Sequence, residues 1–201
     1  VCREEGILTA KRNTAGVFCD TSKAVLQQRI HALKKQCDQV GIIYHGGEEI
    51  YHFPTPARRR QLLGYLEAGA DFVVAHHAHV VQGYEALGEK YVFYGLGDFS
   101  FDFNFSTPGP SIDESVLLVL QFQKGEPLKF TPVFTHDDRI QGHVCAKSDN
   151  PWFREIRDER YREDYANYAR ETLRQWMIIK GNPQPSLLRR LRRAVGLGLR
   201  I

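Results

Sequence analysis

Val40-Gly-Ile-Ile-Tyr44-His45-Gly-Gly-Glu48 and Asp71-Phe-Val-Val-Ala75-His76-His77-Ala78-His79 decide the fold class. Each is a short apolar run that stops at histidines and small residues, the pattern of a buried strand running into a loop. Between them Pro54 and Pro56 punctuate the chain, and Pro56 suits the first turn of a helix. That helix is expected over Arg58–Ala68, with Leu62, Leu63 and Leu66 inward and Gly69 as its stop. Upstream, Thr21 or Ser22 caps a helix over Lys23–Cys37. Its Val25, Leu26, Ile30, Leu33 and Cys37 recur at helical spacing. A short strand is expected at Ala15–Cys19. Strands alternating with helices read as α/β, and ligands in such sheets sit beyond the carboxyl ends of the strands.

Further along, the chain changes character. Lys90–Tyr94, Val116–Phe122 and Leu128–Phe134 are strand-like, join through turns such as Lys124-Gly-Glu126, and read as antiparallel. A long helix is expected over Phe153–Met177, with Phe153, Ile156, Tyr165, Ala169, Leu173 and Trp176 on one stripe. Tyr161 and Tyr168 lie beside that stripe, and with Trp152 they read as packing residues. Asn182-Pro-Gln-Pro185 is a linker, and Leu187–Val195 a short basic amphipathic helix. The divisions expected are 1–150, 151–181 and 182–201.

The chain has 201 residues, enough for a normal core, and its 12 Phe, 9 Tyr and 2 Trp exclude global disorder. No apolar run approaches the length of a membrane-spanning helix. Net charge is +3. Ser186–Ile201 carries five arginines and no acid, so the rest stands at −2. A nucleic-acid footprint should be a broad stripe on the fold rather than one short end, so no nucleic-acid partner is expected. That basic end, 186–201, suits peripheral contact with an anionic membrane, docking to a partner, or a solvated terminal helix. Cys2, Cys19, Cys37 and Cys145 show neither CxxC nor CxxH spacing, and read as free or packing thiols.

His77-x-His79 is the sharpest chemical feature. If the chain stays extended past its strand, residues i and i+2 face one side, and two imidazoles there suit Zn, Mn, Fe or Ni. His76 would point the other way or support them. His45-Gly-Gly-Glu48 ends the other strand, with glycines that let backbone approach a ligand and a carboxylate for general base work. Asp98, in Gly95-Leu-Gly97-Asp98-Phe99, reads as a ligand, as a group orienting a histidine, or as a turn cap. Arg58, Arg59 and Arg60 open a helix near His45, and suit either an anionic substrate or a solvated face.

His45-Gly-Gly-Glu48, Pro54-x-Pro56, Gly69-Ala-Asp71, His76-His-Ala-His79-Val-Val-Gln82-Gly-x-Glu85 and Tyr94-Gly-Leu-Gly-Asp-Phe99 occur in that order. The set resembles the later motifs of the CapA family of capsule-synthesis proteins, associated with poly-γ-glutamate and similar in fold to calcineurin-like metallophosphoesterases. It covers Val40–Asp102 and extends more weakly to the long helix. The resemblance implies an α/β metallophosphoesterase-like sandwich with a metal centre built from strand-end loops. By position it matches His45, His77 and His79 to metal ligands, Glu48 to the acid of the first motif, and Gln82 and Glu85 to the Gln-Gly-x-Glu that follows. Glu48 and His76 are expected to move protons, and Gln82, Glu85 and Arg58 to contact substrate. The family often has Trp at Gly46, Gly at Ala75, Pro at Ala78 and Asn at Asp98. Its earlier motifs (a Gly-Asp strand end, Asn-Leu-Glu, Asn-Asn-His) do not occur here. The chain is therefore expected to be the C-terminal part of a longer protein, with an incomplete two-metal site.

Two functions follow as expectations. One is metal-assisted hydrolysis of a phosphoester or amide, with Mn, Fe or Zn as the divalent ion and an anionic polymer or small molecule as substrate. The other is a non-catalytic accessory role, binding an anionic polymer or a capsule-synthesis partner protein. An extracytoplasmic or membrane-associated location is implied by the resemblance.

Overall fold

The computed structural model describes residues 10, 13, 15, 16, 23–100, 112–138 and 143–180. The elements are α1 (Lys23–Lys34), β1 (Gly41–His45), α2 (Pro56–Glu67), β2 (Phe72–His76), β3 (Tyr84–Leu87), β4 (Lys90–Phe93), β5 (Glu114–Gln121), β6 (Lys129–Asp138), β7 (His143–Ala146) and α3 (Asp158–Lys180). β1, β2, β4 and β3 form one sheet in that order, and β5, β6 and β7 another. β1–β2 and β2–β4 are parallel, β3–β4 is antiparallel, and the second sheet is wholly antiparallel. The protein is thus a mixed α/β fold.

Alternation along β2 makes the layers. Val73 and Ala75 face one way, into a core with Leu26 and Ile30 of α1, Leu62, Tyr65 and Leu66 of α2, and Tyr161, Tyr165 and Ala169 of α3. Phe72 and Val74 face the other way, against Phe93, Leu128, Leu118, Leu120 and Phe130. One sheet therefore carries helices on one face and the second sheet on the other.

Two elements escape the sequence reading. β3 and β4 form a hairpin across Gly88-Glu89, with Gly88 at φ 62. β7 extends the second sheet past β6. Two others differ from expectation. Helix α1 buries only Leu26 and Ile30, while Val25 and Leu33 stay 43% and 46% exposed. The reason is position: β1 is the edge of its sheet among the described residues, and α1 meets the core through Leu26 and Ile30, the latter beside Gly69.

Helix α3 starts at Asp158, not Phe153. Residues 154–156 are instead drawn along β3: Tyr84 N–H donates to Arg154 O at 3.0 Å and Ile156 N–H to Tyr84 O at 2.7 Å. Gly83 permits that approach, since a Cβ there would lie 2.4 Å from Arg154 O. Phe153 packs on Tyr84 and Phe130 between the sheets, and Trp152 stacks on His52.

Cys37 and Cys145 are free thiols. No described helix is long and apolar enough to cross a membrane. Cys2, Cys19, most of Ala15–Cys19, the side chains of Leu173 and Trp176, the linker and the basic helix Leu187–Val195 lie outside the described residues.

Candidate metal centre

Parallel pairing puts His45 of β1 opposite His76 of β2, so both strands end at one level. Gly46 N–H still donates to His76 O at 3.3 Å, and then the chains part. Gly46 and Gly47 take φ of 150° and 131°, and Ile50 N–H returns to Ala78 O at 2.8 Å. That bond ties the loop after β1 to the loop after β2.

Past β2 the chain does not stay extended. His77 and His79 adopt φ of 94° and 57°, a region that non-glycine residues enter at a cost of about 1–3 kcal/mol. A left-handed turn, not strand alternation, brings the two imidazoles together, with ring centroids 5.9 Å apart. His77 is buried, and its two nitrogens face different partners. Nδ1 lies 3.3 Å from His45 Nε2, and Nε2 lies 3.6 Å from Glu49 Oε1. His79 Nδ1 lies 3.0 and 3.1 Å from the two oxygens of Asp98.

Glu49, His77 and His79 each offer a donor atom, and these atoms all lie within 4.8 Å of one another. Two imidazoles and a carboxylate fit a borderline divalent ion such as zinc, manganese or iron.

Residues 4–103 match the family model described as bacterial capsule synthesis protein PGA_cap. The chain belongs to this capsule synthesis family. It is 31% identical over 130 residues to the PGA biosynthesis protein CapA of Bacillus subtilis (strain 168), across 64% of this chain and 33% of that protein. It is 38% identical over 69 residues to the capsule biosynthesis protein CapA of Bacillus anthracis, across 34% of this chain and 17% of that protein. The chain thus spans about a third or less of the curated relatives it matches.

Against the family's motifs, the structure distributes the expected residues unevenly. His45 stands behind His77 as its hydrogen-bond neighbour, outside the group of three. His76 points to the opposite face, into a cleft of about 480 Å³ shared with Ile43, Val74, Leu96 and Asp98. Burial lowers its pKa, the neighbouring His45 lowers it further, and Asp98 opposes the shift.

Glu48 accepts from Thr55 Oγ1 at 3.1 Å, and Thr55 caps α2 by accepting from Arg58 N–H. The Glu48 charge also adds to burial in raising the Tyr165 and Tyr51 phenols, the latter to about 12. Arg58 donates to Tyr44 Oη and to Gln61 Oε1, beside Gly47. Gln82 donates to the Tyr51 carbonyl across the two loops. Glu85 takes Arg59 Nε at 2.8 Å and the Tyr94 hydroxyl at 2.9 Å, so its carboxylate is spent within the fold.

Glu49 is the residue the sequence reading missed. Its signal was the doubled acid Glu48-Glu49 after Gly46-Gly47. One extra residue of loop decides which carboxylate meets the imidazoles, and that depends on the Ile50–Ala78 bond.

Proposed function

We propose that this chain carries a divalent-metal centre on Glu49, His77 and His79. In that reading it serves metal-dependent hydrolysis, of a phosphoester or an amide, within capsule-polymer biosynthesis. The observation that carries it is the convergence of three donor atoms within 4.8 Å at the carboxyl ends of paired parallel strands. A divalent ion supplies Lewis acidity there and makes water a nucleophile near neutral pH. His45 orients the His77 ring through Nδ1. His76, kept neutral by burial, is the proton acceptor on the cleft side. Arg58 and the first turn of α2 bring positive charge beside the glycine loop, which favours an anionic substrate. The two-sheet arrangement is compatible with a metallophosphoesterase-like sandwich, to which the remaining length of a CapA-type protein would add further ligands.

The test is metal content per chain on freshly purified protein, beside His79→Ala. About one ion per chain, lost in the variant, is the expected result. No ion in the wild type, before or after incubation with zinc or manganese, overturns the reading. Assays on a chromogenic phosphodiester and a γ-glutamyl anilide then separate the two bond types. Metal without turnover of either favours the polymer-binding role.

A further inference from the structure

Asp98 follows a segment held from both sides. Leu96 bridges to Val81, and Gly97 bridges to Ser115 at the start of β5. Val116 N–H donates to Leu96 O at 2.8 Å, and Gln82 N–H to Gly95 O at 2.9 Å. Gly97 takes φ 73°, and a Cβ there would lie 2.3 Å from Glu114 O. The backbones are in contact, so Asp98 has little freedom. His79 lies on the same connection as Val81 and Gln82, in its own left-handed conformation.

We propose that Asp98 is a positioning residue for His79: it fixes the Nδ1–H tautomer and so keeps the lone pair on Nε2, as the donor to a metal ion shared with Glu49 and His77. Both Asp98 oxygens lie within 3.1 Å of His79 Nδ1. An ionised carboxylate only accepts, so Nδ1 donates. A neutral imidazole with its proton on Nδ1 keeps its lone pair on Nε2. The tautomer stands on geometry alone; its consequence for metal binding rests on the function proposed above.

The experiment uses the full chain. Nitrogen-15 spectra of histidine-labelled, metal-free protein report each imidazole tautomer, and the His79 signals are assigned by their loss in His79→Gln. The wild type is expected to show a protonated Nδ1 and a bare Nε2, and Asp98→Ala to move toward Nε2–H. Zinc affinity should fall roughly 10–100-fold in Asp98→Ala. Asp98→Asn, which keeps an acceptor oxygen without the charge, should hold the tautomer and fall in between. The metal-free unfolding midpoint of Asp98→Asn should match the wild type, which a merely structural role would not allow. Nε2–H in the wild type, or an unchanged tautomer in Asp98→Ala, overturns the proposal. If Asp98→Ala does not fold, the Asp98→Asn tautomer and affinity decide. If the wild type binds no zinc yet shows Nδ1–H, the metal reading fails and the Asp98–His79 pairing stands.

Discussion

His77 has its two ring nitrogens 3.3 Å from His45 and 3.6 Å from Glu49, so it is the residue on which the site turns. The neighbouring acids have different work. Glu49 is 52% exposed on its side chain, whereas Glu48 sits on the α2 cap. Glu49→Ala should therefore lower zinc affinity at least tenfold at an unchanged unfolding midpoint. Glu48→Ala should cost about 1 kcal/mol of stability, the usual worth of one hydrogen bond. Zinc titration and urea unfolding of both variants check this, and swapped effects would refute it. His52 supplies a pH prediction. Its ring lies 4.2 Å from Trp152 in a parallel stack, and its Nδ1 meets Val81 O at 2.8 Å. Burial depresses its pKa below the ordinary 6.5. Below that value the unfolded chain takes a proton that native His52 refuses, so stability falls as pH drops from about 6.5. Urea midpoints at pH 7.5 and 5.5 should differ more in the wild type than in His52→Gln.

Elements were legible where periodicity was strong. β1, β2, α2 and β4 lie within a residue or two of the positions that apolar runs, Pro56 and Gly69 indicate. The beginning of α3 was not legible, because the Phe153 and Ile156 spacing is helical while the backbone of residues 154–156 is claimed by β3. The HxH spacing was legible but its geometry was not, since no local signal marks His77 and His79 as left-handed. Two glycines test how elements are joined. Gly88 and Gly97 have φ of 62° and 73°, but Gly88 faces open space and Gly97 faces the β5 backbone. Gly88→Ala should cost about 1–2 kcal/mol from the backbone conformation alone. Gly97→Ala should cost about 3 kcal/mol or more, because the overlap with Glu114 O adds to it. Equal losses on chemical unfolding would mean that the Gly97 contact is not tight in solution.

The whole molecule is held by a charge network that joins α2, β3 and α3 as well as by its two cores. Arg59 of α2 reaches Glu85 of β3 and, at 2.7 Å, Asp158 at the start of α3. Glu85 in turn takes the Tyr94 hydroxyl. The sequence offered Arg59 as a substrate arginine or a solvated one, and Glu85 as a substrate contact. Tertiary structure made them partners 26 residues apart. Arg59→Met should cost about 3 kcal/mol by stranding the Glu85 charge, and Arg59→Met with Glu85→Met should regain most of it. A double variant no better than the single would show that packing, not charge, carries the loss. By itself the sequence determined the α/β class, the strand ends that carry His45 and His76–His79, and the family, because local periodicity and an ordered motif set need only neighbours along the chain. Only the tertiary structure decided that Glu49 rather than Glu48 meets the imidazoles, that His45 supports His77, and that Asp98 faces His79. Those choices depend on turns closed by hydrogen bonds between loops distant in sequence.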